Sequence, residues 1–114
     1  LVEGQLVGGV AQGLGGTLLE ELAYDSEAQL QTGTFADYML PSVAEMPRVE
    51  PLVIEAARST TNPLGVKGVG EVGTSGVAAA VANAVADALG KDIALNALPL
   101  TPERVLEALA GEAS

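Results

Sequence analysis

Residues 59–76 read STTNPLGVKGVGEVGTSG, and residues 77–89 continue as VAAAVANAVADAL. The first stretch is a glycine-rich loop that carries one carboxylate, Glu71, near its end. The second is rich in alanine, the best helix former, and Gly90 follows it as a helix stop. The two stretches therefore predict a loop that leads into a helix, with an acidic side chain presented shortly before the helix begins.

The N-terminal stretch predicts another helix. Leu6, Val10, Leu14 and Leu18 recur every four residues within residues 3–21, which gives one apolar stripe. The same stretch holds six glycines, and each interior glycine costs about 1 kcal/mol of helix stability relative to alanine. We therefore expect another backbone or a ligand to approach this helix closely. A loop or a broken helix is the alternative.

The remaining stretches predict short elements. Residues 22–24 and 29–32 flank a polar turn of hairpin length. Several prolines prevent a long regular element further on, before an apolar run of strand length at residues 52–57. Thr101 and the proline after it predict the start of a final helix that runs to about Ala110. The predicted fold class is α+β, with a glycine-rich N-terminal helix, a β-hairpin, a glycine-rich loop that leads into an alanine-rich helix, and a short C-terminal helix.

Composition excludes several classes of site. The 114 residues allow one small domain, and 15 acidic residues against five basic ones give a formal charge of −10. This balance argues against nucleic acid and against anionic membranes as partners. The chain has no cysteine and no histidine, which excludes a zinc site, an iron–sulfur cluster and a histidine-activated nucleophile within it. We predict no metal ligand in this chain.

The ends and the apolar runs of the chain bear on its location. No uninterrupted apolar run reaches the roughly 18 residues that a membrane helix needs. The N-terminal residues also lack the basic region with which a signal peptide begins. We therefore expect no membrane partner. The lack of disulfide-forming cysteines permits a cytoplasmic location, which we expect. The chain starts at Leu1 rather than at a methionine, so we expect it to begin inside a longer protein.

The residues around Glu71 leave three possible roles for it. The segment GVGEVG, residues 68–73, fits the dinucleotide pattern G-x-G-x-x-G, but that pattern needs a strand directly before it, and Pro63 and Gly65 stand there instead. Glu71 would also place negative charge beside the phosphates. A second role is capping of the following helix. In the third, the glycines leave the carboxylate uncrowded, and in a water-poor pocket it becomes a useful base near neutral pH.

Residues 62–73, NPLGVKGVGEVG, closely resemble the active-site loop of the large subunit of molybdenum hydroxylases, the family of xanthine dehydrogenase, aldehyde oxidase and carbon monoxide dehydrogenase. Residues 2–15 resemble the segment that lines the pterin in that family, residues 37–41 its connecting segment and residues 98–103 its closing stretch. The resemblance covers essentially the whole chain and is of the bacterial type. It implies that residues 1–114 form a single C-terminal fragment of the molybdopterin-binding domain.

The resemblance also implies a chemistry. Glu71 matches the family's general base, which activates a molybdenum-bound hydroxyl in an oxidoreductase reaction. Gln5 matches a residue that hydrogen-bonds the pterin, and many relatives carry histidine where this chain has Val7. The cofactor would be molybdenum–molybdopterin, in its cytosine dinucleotide form. Backbone amides around Glu71 would help to enclose it, from Gly70, Val72, Gly73, Thr74 and Ser75.

The same resemblance implies partners. They are the remainder of the large subunit, iron–sulfur and flavin (FAD) domains or subunits, and a small-molecule substrate that could be carbon monoxide, an aldehyde or a nitrogen heterocycle. Because the other walls of the site would lie elsewhere, we expect the isolated chain to bind no cofactor tightly and to be inactive. The alternative function is a non-catalytic structural or assembly module that self-associates through exposed apolar faces. A dinucleotide-binding module is the less favoured alternative.

Overall fold

The computed structural model describes residues 1–90, 93 and 95–111. Within these residues the helix Val2–Leu18 (α1) packs against both Val72–Ser75 (α2) and Val77–Leu89 (α3). A long irregular stretch, residues 19–71, leaves the end of α1 and leads back to its N-terminal half. The helices in this part of the chain are α1 (Val2–Leu18), α2 (Val72–Ser75), α3 (Val77–Leu89) and α4 (Pro102–Ala110).

Helix α1 confirms the predicted N-terminal helix but ends three residues earlier than the predicted residue 21. The amides of Leu19 and Glu20 both donate to the Gly15 carbonyl, at 2.9 and 2.8 Å. This shared acceptor closes the last turn, and the chain continues beyond it in an irregular conformation. The expected close approach to the glycines is also present, because Gly9 lies against α2 and Gly13 against α3.

The predicted bounds of the last two long helices are confirmed. Helix α3 ends at Gly90, whose φ of 61° and ψ of 25° place it in the left-handed region that favours glycine. The next residue, Lys91, lies outside the described residues. Helix α4 begins with an N-cap at Thr101, whose hydroxyl accepts a hydrogen bond from the Arg104 amide at 3.3 Å. Local capping signals therefore set these ends.

The predicted β-hairpin is reduced to one antiparallel bridge, between Tyr24 and Leu30. The turn inside it is well ordered, because the Asp25 carboxylate accepts from the amides of Glu27 and Gln29 at 2.9 Å. Both bridging side chains are exposed, so no packed face extends the pairing into strands. The apolar run at residues 52–57 is irregular too. The described residues contain no strand, and the β part of the predicted α+β class is not confirmed.

The core is small and lies where the C-terminal half of α1 meets α3. Leu14, Val77 and Leu100 are the buried hydrophobic side chains among the described residues. Thr17 is 1 % exposed; its hydroxyl donates to the Gly13 carbonyl at 2.6 Å, and its own carbonyl accepts the Leu100 amide at 2.6 Å. The segment before α4 is thereby fastened to α1.

Much apolar surface stays open. The accessible surface is 8480 Å², whereas a compact protein of 11.4 kDa exposes about 5,800 Å². The radius of gyration is 17.6 Å, against about 13 Å for a compact domain of this length. The chain is therefore open rather than compact. Its most exposed apolar side chains include Phe35, Val43, Leu52, Ile54 and Leu64.

The segment Val72–Leu89, which joins α2 and α3, is 18 residues long with a mean hydropathy of 1.3. By length and composition alone it could cross a membrane. Gly76 separates its two parts, and Val77 packs on α1. We interpret the segment as a packing helix.

Candidate catalytic and cofactor-binding site

The loop before Glu71 is closed by a side chain of its own. The Asn62 amide donates to the Val66 carbonyl at 2.9 Å, and its oxygen accepts the Val66 amide at 3.1 Å. The Ser59 amide donates to the Gly65 carbonyl at 3.1 Å. These bonds fold residues 59–66 into a compact turn and direct the chain into the Glu71 segment.

Glu71 occupies the N-cap position of α2 and caps it with its main chain. Its carbonyl accepts the amides of Thr74 and Ser75 at 3.1 and 3.3 Å, and the Ser75 hydroxyl at 3.1 Å. Its side chain is exposed and makes no capping hydrogen bond. The hypothesis that the Glu71 carboxylate serves as a helix cap is therefore not supported.

Gln5 and Gly70 lie next to each other although 65 positions separate them in the chain. Gln5 sits in the first turn of α1, and its Oε1 lies 3.7 Å from where a Cβ on Gly70 would stand. Gln5, Gly70 and Glu71 are all exposed. The structure thus brings the predicted pterin ligand and the loop of the predicted base to one surface, with no side chain on Gly70 between them.

The other four residues predicted to enclose the cofactor make contacts within the chain. Gly73 lies against the α1 backbone, and the Thr74 hydroxyl donates to the Gly9 carbonyl at 3.0 Å. The Ser75 hydroxyl is bound to the Glu71 carbonyl. The Val72 amide donates to the Val69 carbonyl at 3.3 Å, and its side chain is 60 % exposed. Their roles toward a cofactor stay predictions.

The contact of Thr74 with Gly9 escaped the sequence analysis. It joins residues 65 positions apart, and no local pattern links a threonine in the loop to a helix near the N-terminus. The glycines on both sides were the available signal, since they indicated a close approach without naming the partner.

An apolar groove of about 460 Å³ adjoins the loop. It runs between α1, the α2–α3 segment and the proline-containing stretch near residue 50. Val72 and Gly73 bring it to within one residue of Glu71. Its lining consists of Leu6, Val10, Leu14, Pro47, Pro51, Leu52, Val72, Gly73, Gly76, Val77, Ala80 and Val81.

No cluster of three or more aspartate, glutamate, histidine or cysteine side chains suited to a metal ion occurs among residues 1–90, 93 and 95–111.

Comparisons with known proteins connect this surface to a family. The molybdopterin cofactor-binding domain family matches residues 1–47. The gamma subunit of the 6-hydroxypseudooxynicotine dehydrogenase complex of Paenarthrobacter nicotinovorans is 44% identical over 108 residues, 95% of this chain. The nicotine 6-hydroxylase large subunit of the same organism is 46% identical over 112 residues, 97% of this chain. The chain belongs to the molybdenum hydroxylase family.

A solved structure agrees with this membership. The crystal structure of quinoline 2-oxidoreductase from Pseudomonas putida 86 superposes with a TM-score of 0.87 and 41% identity over 96% of this chain. The chain spans 14% of the length of each of these three relatives. A dinucleotide-binding module is not supported, because residues 59–71 form no strand ahead of the glycines and the relatives are molybdenum hydroxylase large subunits.

Proposed function

We propose that this chain supplies one wall of the active site in the large subunit of a molybdenum-dependent oxidoreductase, with Glu71 as the general base. The observation that carries the proposal is the juxtaposition of Gln5 and Gly70, which brings the loop that carries Glu71 against the first turn of α1. A base and a neutral cofactor ligand on one open surface suit an enzyme whose other walls belong to the rest of a longer protein.

The residues present fit a molybdopterin cofactor. The Gln5 carboxamide offers two N–H donors and an acceptor, and it carries no charge that would repel phosphates. Gly70 adds no bulk beside it. Since the chain has a net charge of −10, phosphate contacts from this wall would have to come from backbone amides rather than from clustered cations. The Gly70 amide is the first candidate, since the amides of Val72, Thr74 and Ser75 already donate within the loop.

The catalytic role of Glu71 is proton acceptance at its carboxylate oxygen. When bound, the molybdenum cofactor supplies the redox chemistry of the reaction. Glu71 would hold a proton taken from the reacting centre and release it afterwards. Main-chain capping of α2 suits this role, because the helix start is satisfied by the Glu71 carbonyl and does not require its carboxylate.

Replacement of Glu71 by glutamine tests the base. Glu71→Gln keeps the side-chain shape but cannot accept the proton, and general bases contribute roughly 100-fold to 10,000-fold in rate. We expect kcat/KM of the assembled enzyme to fall at least about 100-fold while its molybdenum content stays unchanged. Glu55→Gln, at an exposed glutamate, is the matched control. Activity within about tenfold of wild type would leave less than about 1.4 kcal/mol for Glu71 and refute the role.

The substrate class follows from the named relatives. Nicotine and quinoline, which appear in the names of three of them, contain nitrogen heterocycles. We therefore propose a nitrogen heterocycle as the substrate of the assembled enzyme, ahead of an aldehyde or carbon monoxide. Turnover rates with pyridine and quinoline compounds, compared with those for aromatic aldehydes and carbon monoxide, test this order. An enzyme that turned over carbon monoxide alone would contradict the proposed substrate class.

The partners and the cofactor form belong to the same proposal. They are iron–sulfur and FAD-carrying subunits or domains, the remainder of the large subunit, and the cytosine dinucleotide form of molybdopterin, all in the cytoplasm. Acid release of cytidine monophosphate from the purified enzyme tests the cofactor form. Iron and flavin in the same complex test the partners.

A structural or assembly role is the second candidate, and the many exposed apolar side chains favour it. The isolated 114-residue chain should then associate with itself, while binding little molybdenum. Size-exclusion chromatography combined with metal analysis measures both. A monomeric chain would contradict the assembly role, and stoichiometric molybdenum would contradict the expectation that the isolated chain binds no cofactor tightly.

A further inference from the structure

At Gly73 the α2 turn meets α1 backbone to backbone. A Cβ built on Gly73 would overlap the Leu6 carbonyl oxygen and would lie 3.1 Å from the Gly9 Cα. A Cβ built on Gly9 would lie 3.0 Å from the Gly73 Cα. Neither position has room for a methyl group, because the neighbouring atoms are backbone and cannot rotate away. No side chain lies between the two backbones at this point, so the contact sets their separation but leaves their position along α1 to other interactions.

One hydrogen bond fixes this contact along the helix axis. The Thr74 hydroxyl donates to the Gly9 carbonyl at 3.0 Å in a partly buried position. Gly9 lies one helical turn after Gln5, and the Thr74 amide donates to the Glu71 carbonyl at 3.1 Å. Thr74 therefore connects the turn that carries the proposed base to the helix that carries the proposed pterin ligand.

We propose that Thr74 is a positioning residue, whose hydroxyl sets the placement of Glu71 relative to Gln5. This role rests on the proposed function of both residues. If the Thr74 bond is lost, the α2 turn can slide along the glycine surface of α1, and the Glu71 carbonyl moves with it. A misplacement of about 1 Å at a reacting group can cost on the order of 100-fold in rate. A side chain that touches no reactant would thus affect catalysis.

The test compares three variants of the assembled enzyme. Thr74→Val removes the hydroxyl and keeps the side-chain shape, Thr74→Ser keeps the hydroxyl, and Thr60→Val is the control at an exposed threonine. We expect Thr74→Val to lower kcat per bound molybdenum at least about tenfold, with a smaller change in KM. Thr74→Ser should stay within about threefold of wild type, and Thr60→Val should match wild type.

Hydrogen exchange of residues 70–76 supplies a readout that does not depend on turnover. The Thr74→Val variant should exchange these amides faster than wild type, with or without cofactor, and Thr74→Ser should exchange them at the wild-type rate. Unchanged exchange in Thr74→Val would overturn the proposal. A Thr74→Val enzyme whose activity per bound molybdenum equals that of wild type would also overturn it. Thr74 would then only help to retain the cofactor.

The outcomes separate this role from the proposed function. An active Glu71→Gln enzyme would refute the proposed base whatever Thr74 does. A fully active Thr74→Val enzyme beside an inactive Glu71→Gln enzyme would refute only the positioning role. If Thr74→Val does not fold, an equal loss in Thr74→Ser would overturn the role, whereas a wild-type Thr74→Ser would support the need for the hydroxyl.

Discussion

Gly13 of α1 lies directly against Val77 of α3, so that a Cβ built on Gly13 would come within 2.7 Å of the Val77 Cβ. This contact lies one helical turn along α1 from the contact of Gly9 with Gly73. The α2–α3 segment therefore meets α1 at two glycines, Gly9 and Gly13, which lie one helical turn apart. The glycines that weaken α1 as an isolated helix are what allow the α2–α3 segment to approach it.

Alanine substitutions in α1 should separate the contact glycines from the others. Gly13→Ala gains helix propensity of up to about 1 kcal/mol but forces a methyl group into a β-branched, buried neighbour, and overpacking costs about 1–3 kcal/mol. We expect it to lower the thermal midpoint of the assembled enzyme. Gly16→Ala, whose Cβ would meet nothing within 4 Å, should leave the midpoint unchanged or raise it. Equal effects of the two substitutions would contradict the packing argument.

The parts of the fold that local chemistry decides could be predicted from the sequence. Helix α3 ends at Gly90 because glycine suits the left-handed cap, and α4 starts after Thr101 because a hydroxyl followed by proline suits an N-cap. The hairpin depended on packing outside the turn. Asp25 orders the turn itself, but no apolar layer covers Tyr24 and Leu30, so the strands do not extend.

For the candidate site, the sequence proposes residues but does not indicate how they contact one another. Glycines around Glu71 indicated a presented carboxylate, and only the family resemblance connected it with Gln5. The bond of Thr74 to Gly9 spans 65 positions, and the pairing of Arg104 with Glu21 spans 83. Such pairs depend on how helices come together, which periodicity within one helix does not describe.

Arg104 joins α4 to the end of α1, and we expect its geometry to matter more than its charge. Its guanidinium donates to the Pro99 carbonyl at 2.8 Å and to the Glu21 carboxylate at 2.5 Å. Lysine lacks the planar fork that reaches both acceptors, so Arg104→Lys should lower the free energy of unfolding by about 0.5–1.5 kcal/mol. Thermal unfolding of the assembled enzyme measures this effect. Arg48→Lys, in an ion pair whose side chains are 87% and 75% exposed, is the control, and an equal shift there would contradict the prediction.

Tyr38 should make the end of α1 sensitive to alkaline pH. Its hydroxyl donates to the Glu20 carboxylate at 2.7 Å, and this hydrogen bond, with burial and the carboxylate charge, raises the pKa of Tyr38 above its ordinary value. A raised pKa means that the stabilisation is fully present below the ordinary tyrosine pKa and is lost as the pH rises through the raised value.

Absorbance titration of the 114-residue chain measures this ionisation, because the chain holds two tyrosines. In a Tyr24→Phe background the remaining phenol is Tyr38, and adding Glu20→Gln should shift its titration to lower pH. An unchanged midpoint would show that Glu20 does not hold the Tyr38 proton.

The turn at residues 42–45 should respond to acid in the opposite sense. The Ser42 hydroxyl and the Ser42 amide donate to the Glu45 carboxylate at 2.6 and 2.7 Å, and these bonds, the hydroxyl first, lower the pKa of Glu45. The stabilisation is therefore present above the ordinary glutamate pKa and is lost as the pH falls through the lowered value. Ser42→Ala removes the stronger donor, so the pKa of Glu45 should rise toward its ordinary value. Carboxyl NMR titration of the isotope-labelled chain follows this change, with Ser26→Ala at another exposed turn as the control. A pKa of Glu45 that stays low in Ser42→Ala would assign the effect to the backbone amide instead.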